Sequence, residues 1–135
     1  MSQALSSRPR TLTLLALCLF AASLFQGLGV WAILTRWAVV SGLQLSLPPG
    51  YVILRNGVTG FVFMVIAFGL WDRRRWAALL AGVGLPLIAA WTPLERAWFG
   101  RSDFASVNLP WSVAYSVVWV GLALFVIYRA RRGLR

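Results

Sequence analysis

Hydrophobic positions along the chain gather into four long runs. Thr11–Thr35, TLTLLALCLFAASLFQGLGVWAILT, carries no charge. Tyr51–Trp71, YVILRNGVTGFVFMVIAFGLW, carries one, Arg55, near its start. Trp76–Leu94, WAALLAGVGLPLIAAWTPL, and Leu109–Tyr128, LPWSVAYSVVWVGLALFVIY, carry none. A hydrocarbon core of roughly 30 Å takes about 20 helical residues at 1.5 Å each, and all four runs meet or approach that length. None shows the period-two alternation of a membrane strand, and hydrocarbon leaves the helix as the other way to satisfy the backbone. The pattern predicts an all-α integral membrane protein: one domain over 1–135 with four antiparallel transmembrane helices, spanning about 11–35, 51–71, 76–94 and 109–128.

The segments between the runs add little. Arg36–Gly50, RWAVVSGLQLSLPPG, is expected to extend the first helix and then lie along the interface. Glu95–Asn108, ERAWFGRSDFASVN, is expected as a loop at the headgroups. The first run is too long for the core of a cleaved signal peptide, and Gln26 and Gly27 lie beyond its middle. In LALC, Leu17 stands where a lipoprotein box needs a small residue, so the run is expected to remain as a span.

Composition agrees. The chain is 60% hydrophobic and 12% charged, with mean hydropathy +0.77, whereas an ordinary soluble domain is about a quarter charged. Net charge is +10 and every basic residue is arginine. Such a balance often marks a nucleic-acid binder, but here the arginines cluster at the ends of apolar runs rather than on a solvated face. They suit anionic lipid headgroups and topology control, and no nucleic-acid partner is expected. Nine arginines (8, 10, 73–75, 129, 131, 132 and 135) fall on one side and four (36, 55, 96 and 101) on the other. The positive-inside rule then puts both termini in the cytoplasm. In GLWDRRRWA, Arg73, Arg74 and Arg75 mark the cytoplasmic turn, Trp71 and Trp76 anchor it at the interface, and Asp72 balances local charge.

Candidate chemistry is sparse. There is no histidine and one cysteine, Cys18, which excludes an internal disulfide, multi-cysteine metal sites, bis-histidine haem and a Ser-His-Asp triad. No enzyme activity, metal or cofactor is expected. Arg55 lies about one helical turn inside the second run, where a charge is costly. It either reaches the headgroups beside Asn56 and Gly57, the commoner arrangement, or pairs with Glu95, an anionic ligand or a lipid phosphate. Glu95 and Asp103, eight apart, read as interfacial ion pairs with Arg96 and Arg101 rather than as catalytic carboxylates. Gln26, Thr59, Ser112, Tyr115 and Ser116 read as helix-to-helix hydrogen bonders. The pairs Ser23/Gly27, Ala78/Gly82 and Ser112/Ser116 each place small residues on one helix face. Gly57 and Gly60 thin the second helix near Arg55. Pro86 should kink the third span. Seven of the eight tryptophans fall near interfaces, and Trp119, deep in the fourth span, is expected to pack between helices, with a lipid tail or pigment as the alternative.

The layout GLWDRRRWA, a third span, an acid-plus-arginine segment and NLPW resembles uncharacterised small four-helix membrane proteins of bacteria, over helices two to four. The resemblance implies a fold and a location, the bacterial inner membrane, and no activity. The chain has neither the cysteine pairs of thiol-oxidising quinone reductases nor the helix-one acid of small multidrug exporters, and it does not match fluoride channels. The expected function is a non-catalytic accessory or scaffold subunit that packs against other integral membrane subunits and lipids. The alternatives are a small oligomeric transporter or channel with Arg55 on an anion path, and a lipid or quinone binder at the outer interface near Arg55, Trp91 and Trp98.

Overall fold

The computed structural model describes residues 10–42, 47–99 and 103–130, with the side chains of residue 96 and residues 103–108 left aside. Among these are five helices: α1 (Arg10–Thr35), α2 (Trp37–Gly42), α3 (Pro49–Trp71), α4 (Arg75–Phe99) and α5 (Asp103–Ala130). The described residues contain no strand. Helices α1, α3, α4 and the stretch Leu109–Ala130 of α5 are long and apolar enough to cross a membrane.

The side chains on their outer faces are consistent with an integral membrane protein. Leu14, Phe25, Phe61, Leu79, Leu87 and Val117 all stand exposed. Burying apolar surface is worth about 25 cal/mol per Å², and a soluble monomer seldom leaves so much of it outside.

The packed core is confined to one end of the bundle. Leu12, Leu15, Ala16 and Leu19 of α1 meet Ile66, Ala67 and Leu70 of α3, Ala77, Ala81 and Leu85 of α4, and Ala123, Ile127 and Ala130 of α5. That is the end carrying the α3–α4 turn. Close approach there depends on size. A Cβ placed on Gly69 would overlap the Ala77 Cβ and lie 2.8 Å from the Trp76 ring. The turn then closes with Asp72 N–H donating to Phe68 O (2.9 Å), Arg73 N–H to Leu70 O (3.1 Å) and Arg74 N–H to Gly69 O (2.8 Å). Arg73 takes φ 58°, the left-handed region usually given to glycine.

Helix α1 packs most extensively on α3. The Ser23 hydroxyl donates to Gly60 O at 2.7 Å, and Phe20 meets Phe68 edge-on with centroids 6.0 Å apart. Gly60 permits this approach, since a Cβ there would sit 3.2 Å from the Gln26 Cβ. Gly27, Gly57 and Gly82 meet no neighbour. In α4 Ala77 and Ala81 are the buried small residues; of the expected pair Ala78/Gly82, Ala78 packs partly against the core and Gly82 is exposed. Composition alone could not separate two adjacent small-residue registers.

Two boundaries differ from expectation. Helix α4 runs on through Pro86 and Pro93 to Phe99, and α5 begins at Asp103 and continues through Pro110. The expected loop over 95–108 is therefore largely helical backbone. A proline removes one backbone hydrogen bond, and in a membrane helix neighbouring groups make good that loss. At the start of α3 proline acts the other way: Pro49 occupies the first turn, where its missing N–H costs nothing. The segment after α1 breaks at Arg36, turns once more as α2, and lies outside the described residues over 43–46.

Candidate functional site

At the end away from the packed core the four long helices part and leave a crevice of about 790 Å³. Its floor is formed by Leu19 and Leu85, both buried. Phe63, Trp119 and Val120 form apolar walls, and Gln26, Thr59 and Ser116 add polar groups to them. The mouth is framed by Leu54, Leu87 and Tyr115, which are exposed.

The charged part of the lining is Arg55 with Glu95. Arg55 lies about 24 Å along α3 from Trp71, and Glu95 about 30 Å along α4 from Arg75, at 1.5 Å per residue. The Arg55 Nη1 donates to Glu95 Oε2 at 2.6 Å. Its Nε and Nη2 both donate to Asn56 Oδ1, at 3.1 and 2.9 Å. Asn56 is itself 8% exposed and turned toward α1, where its amide nitrogen approaches Gly29. Glu95 is 2% exposed, while the Arg55 side chain keeps 33% of its surface. The guanidinium therefore spans from a buried amide to a buried carboxylate, in a side chain that lines the crevice. The other carboxylate oxygen, Glu95 Oε1, is buried and receives no hydrogen bond among the described residues.

Aromatic side chains hold the same end together. Trp91 Nε1 donates to the Tyr51 hydroxyl at 2.9 Å, tying α4 to α3. Tyr51 also stacks obliquely on Phe99 (6.1 Å), and Trp91 meets Trp98 edge-on (6.4 Å). Tyr51 and Arg55 are one turn apart on α3, as are Trp91 and Glu95 on α4, so each helix presents an aromatic and a charge on one face.

The sequence-derived residues divide accordingly. Arg55 is drawn to Glu95 rather than extended alone, and Glu95 lies inside α4 rather than in a headgroup loop. The Arg96 side chain, expected beside them, lies outside the described residues. Tyr115 and Trp119 both line the crevice. Pro86 sits between two lining residues, Leu85 and Leu87, without lining it. Trp71, Arg73, Arg74, Arg75 and Trp76 belong to the distant turn, where Trp71 and Trp76 are exposed and Arg74 Nε meets Asp72 Oδ2 at 2.6 Å. Asn56, Thr92 and Tyr51 contribute to the site or its rim without having been singled out. Only Tyr51 carried a usable signal, its one-turn spacing from Arg55. Among the described residues no three acids, cysteines or histidines converge as a metal site would require.

Chemically the site is a net-neutral pair of opposite charges at the polar end of an apolar, aromatic-walled crevice. It can hold a hydrogen-bonding head beside Arg55 and Glu95 and an apolar tail along Phe63 and Trp119. Compared with protein-family models, curated proteins and solved structures, the chain matches none.

Proposed function

We propose that this chain is a non-catalytic binding protein of the bacterial inner membrane that takes an amphiphile into the crevice. The carrying observation is the pairing of Arg55 with Glu95 at the polar end of a cavity otherwise walled by apolar and aromatic side chains. The cavity volume, about 790 Å³, lies within the roughly 300–1,000 Å³ usual for small-molecule sites, and convergent polar groups in an apolar pocket are their usual form. In this reading the four spans are antiparallel with both termini cytoplasmic, and the arginines of the α3–α4 turn meet anionic headgroups. The pairing of Gly69 with Ala77 and of Arg55 with Glu95 supports an up-and-down course for α3 and α4.

Two other roles draw less support. An anion path needs a free positive charge, and Arg55 is neutralised by Glu95 and bonded to Asn56. A scaffold for other membrane subunits draws on exposed apolar faces that lipid covers equally well.

The test is native mass spectrometry of the protein extracted gently from its host membrane, beside Ser116→Trp, which fills the crevice from α5. The wild type should retain a bound amphiphile and the variant should lose it while keeping its helical circular dichroism. A wild type that flies bare, or a folded variant that keeps the adduct, overturns the reading.

A further inference from the structure

The two ends of the charged pair are unequally satisfied. Glu95 Oε2 accepts from Arg55, while Oε1 is buried and accepts nothing among the described residues; both residues line the crevice. A buried acceptor left without a donor costs about 1–3 kcal/mol, and more when charged. A guanidinium has five N–H groups. Arg55 commits three of them to Glu95 and Asn56, leaving two, one on Nη1 and one on Nη2, without an acceptor among the described residues. The pair lining the crevice thus holds an acceptor that lacks a donor beside donors that lack an acceptor.

Net charge narrows the partner. Arg55 and Glu95 cancel, so a purely cationic or anionic head would leave an uncompensated charge below the headgroup level, where charge is expensive. A head that is neutral overall and carries both signs meets both demands. We infer that the crevice selects a zwitterionic aminophospholipid, whose primary ammonium donates to the Glu95 carboxylate, turned so that Oε1 meets it, and whose phosphate accepts from the remaining Arg55 N–H groups. Its acyl chain then lies along Phe63 and Trp119. This selectivity rests on the amphiphile-binding reading above and adds the headgroup to it.

Hydrogen bonding, rather than charge alone, sets the ranking. Phosphatidylethanolamine keeps three ammonium N–H donors. Each N-methylation removes one, and the choline head has none while its charge is unchanged. Phosphatidylglycerol has hydroxyl donors but a net negative charge.

The experiment titrates the delipidated full-length protein in detergent with phosphatidylethanolamine, its mono- and dimethylated forms, phosphatidylcholine and phosphatidylglycerol of identical chains, read by native mass spectrometry. Affinity should fall along the methylation series, on the order of tenfold or more from ethanolamine to choline, the size expected for one charge-assisted hydrogen bond. Phosphatidylglycerol should also bind more weakly than phosphatidylethanolamine. In Glu95→Gln the ethanolamine-to-choline difference should shrink severalfold. The methylation series on the wild-type protein decides the matter alone if that variant does not fold. Equal binding of ethanolamine and choline lipids, or an unchanged ratio in folded Glu95→Gln, overturns the headgroup assignment and leaves amphiphile binding standing. Absence of any lipid adduct overturns both.

Discussion

Glu95 is 2% exposed and draws its one hydrogen bond among the described residues from Arg55. The two side chains therefore depend on each other unequally. Removing Arg55 strands a buried carboxylate, and breaking a buried pair in this way costs about 3–5 kcal/mol. Removing Glu95 leaves a guanidinium that still holds Asn56 and keeps 33% of its surface, so the cost is smaller, about 1–2 kcal/mol. Arg55→Leu should thus lower thermal stability in detergent more than Glu95→Leu, and the double substitution should recover much of the loss. Additive losses would mean that the pair is not coupled. Much of this site was legible in the sequence. Arg55 stands alone in an apolar run, which marks it at once, and Glu95 could be named as one candidate partner. The burial of Glu95 was not legible, because the third run was expected to end at Leu94 and Glu95 to begin a headgroup segment. Thr92 bonds back to Ile88 O at 3.2 Å and the helix carries on past Glu95. Nothing local to Glu95 announces that burial, which comes from α3 packed across it.

At the scale of the elements, the α3–α4 hairpin depends on one missing methyl group. Gly69→Ala places a Cβ against Ala77 and the Trp76 ring, and overpacking of this kind costs about 1–3 kcal/mol. Gly82→Ala meets nothing within 4 Å and should be neutral or stabilise by up to about 1 kcal/mol through helix propensity. Ala77→Gly introduced with Gly69→Ala relieves the backbone-proximal overlap and should restore part of the stability. Unfolding in detergent of these four proteins compares two glycines in neighbouring helices. Equal effects at positions 69 and 82 would contradict the packed turn. The elements themselves were legible because length and hydropathy suffice to define a span. The contacting faces were not. In a helix apolar all round, no moment separates the lipid side from the protein side, and choosing Ala77/Ala81 over Ala78/Gly82 requires the neighbouring helix.

The whole molecule is closed at one end and open at the other, and orientation decides which leaflet the crevice faces. Arginine counts favour the closed end in the cytoplasm, nine against four. This can be read directly in a Cys18→Ser background. A cysteine at Asp72, in the α3–α4 turn, should react with a membrane-impermeant maleimide in inverted vesicles and be protected in right-side-out ones. A cysteine at Ser41, exposed on α2, should behave in the opposite way. Replacing Arg73, Arg74 and Arg75 by Gln narrows the bias from nine against four to six against four. The same two reporters should then label in both vesicle types, because a smaller charge difference holds the orientation less firmly. Labelling confined to right-side-out vesicles at Asp72 in the unaltered chain would invert the topology and turn the crevice, with its headgroup preference, toward the cytoplasmic leaflet. Unchanged labelling after loss of the three arginines would instead place control of orientation in the charges flanking α1 and α5.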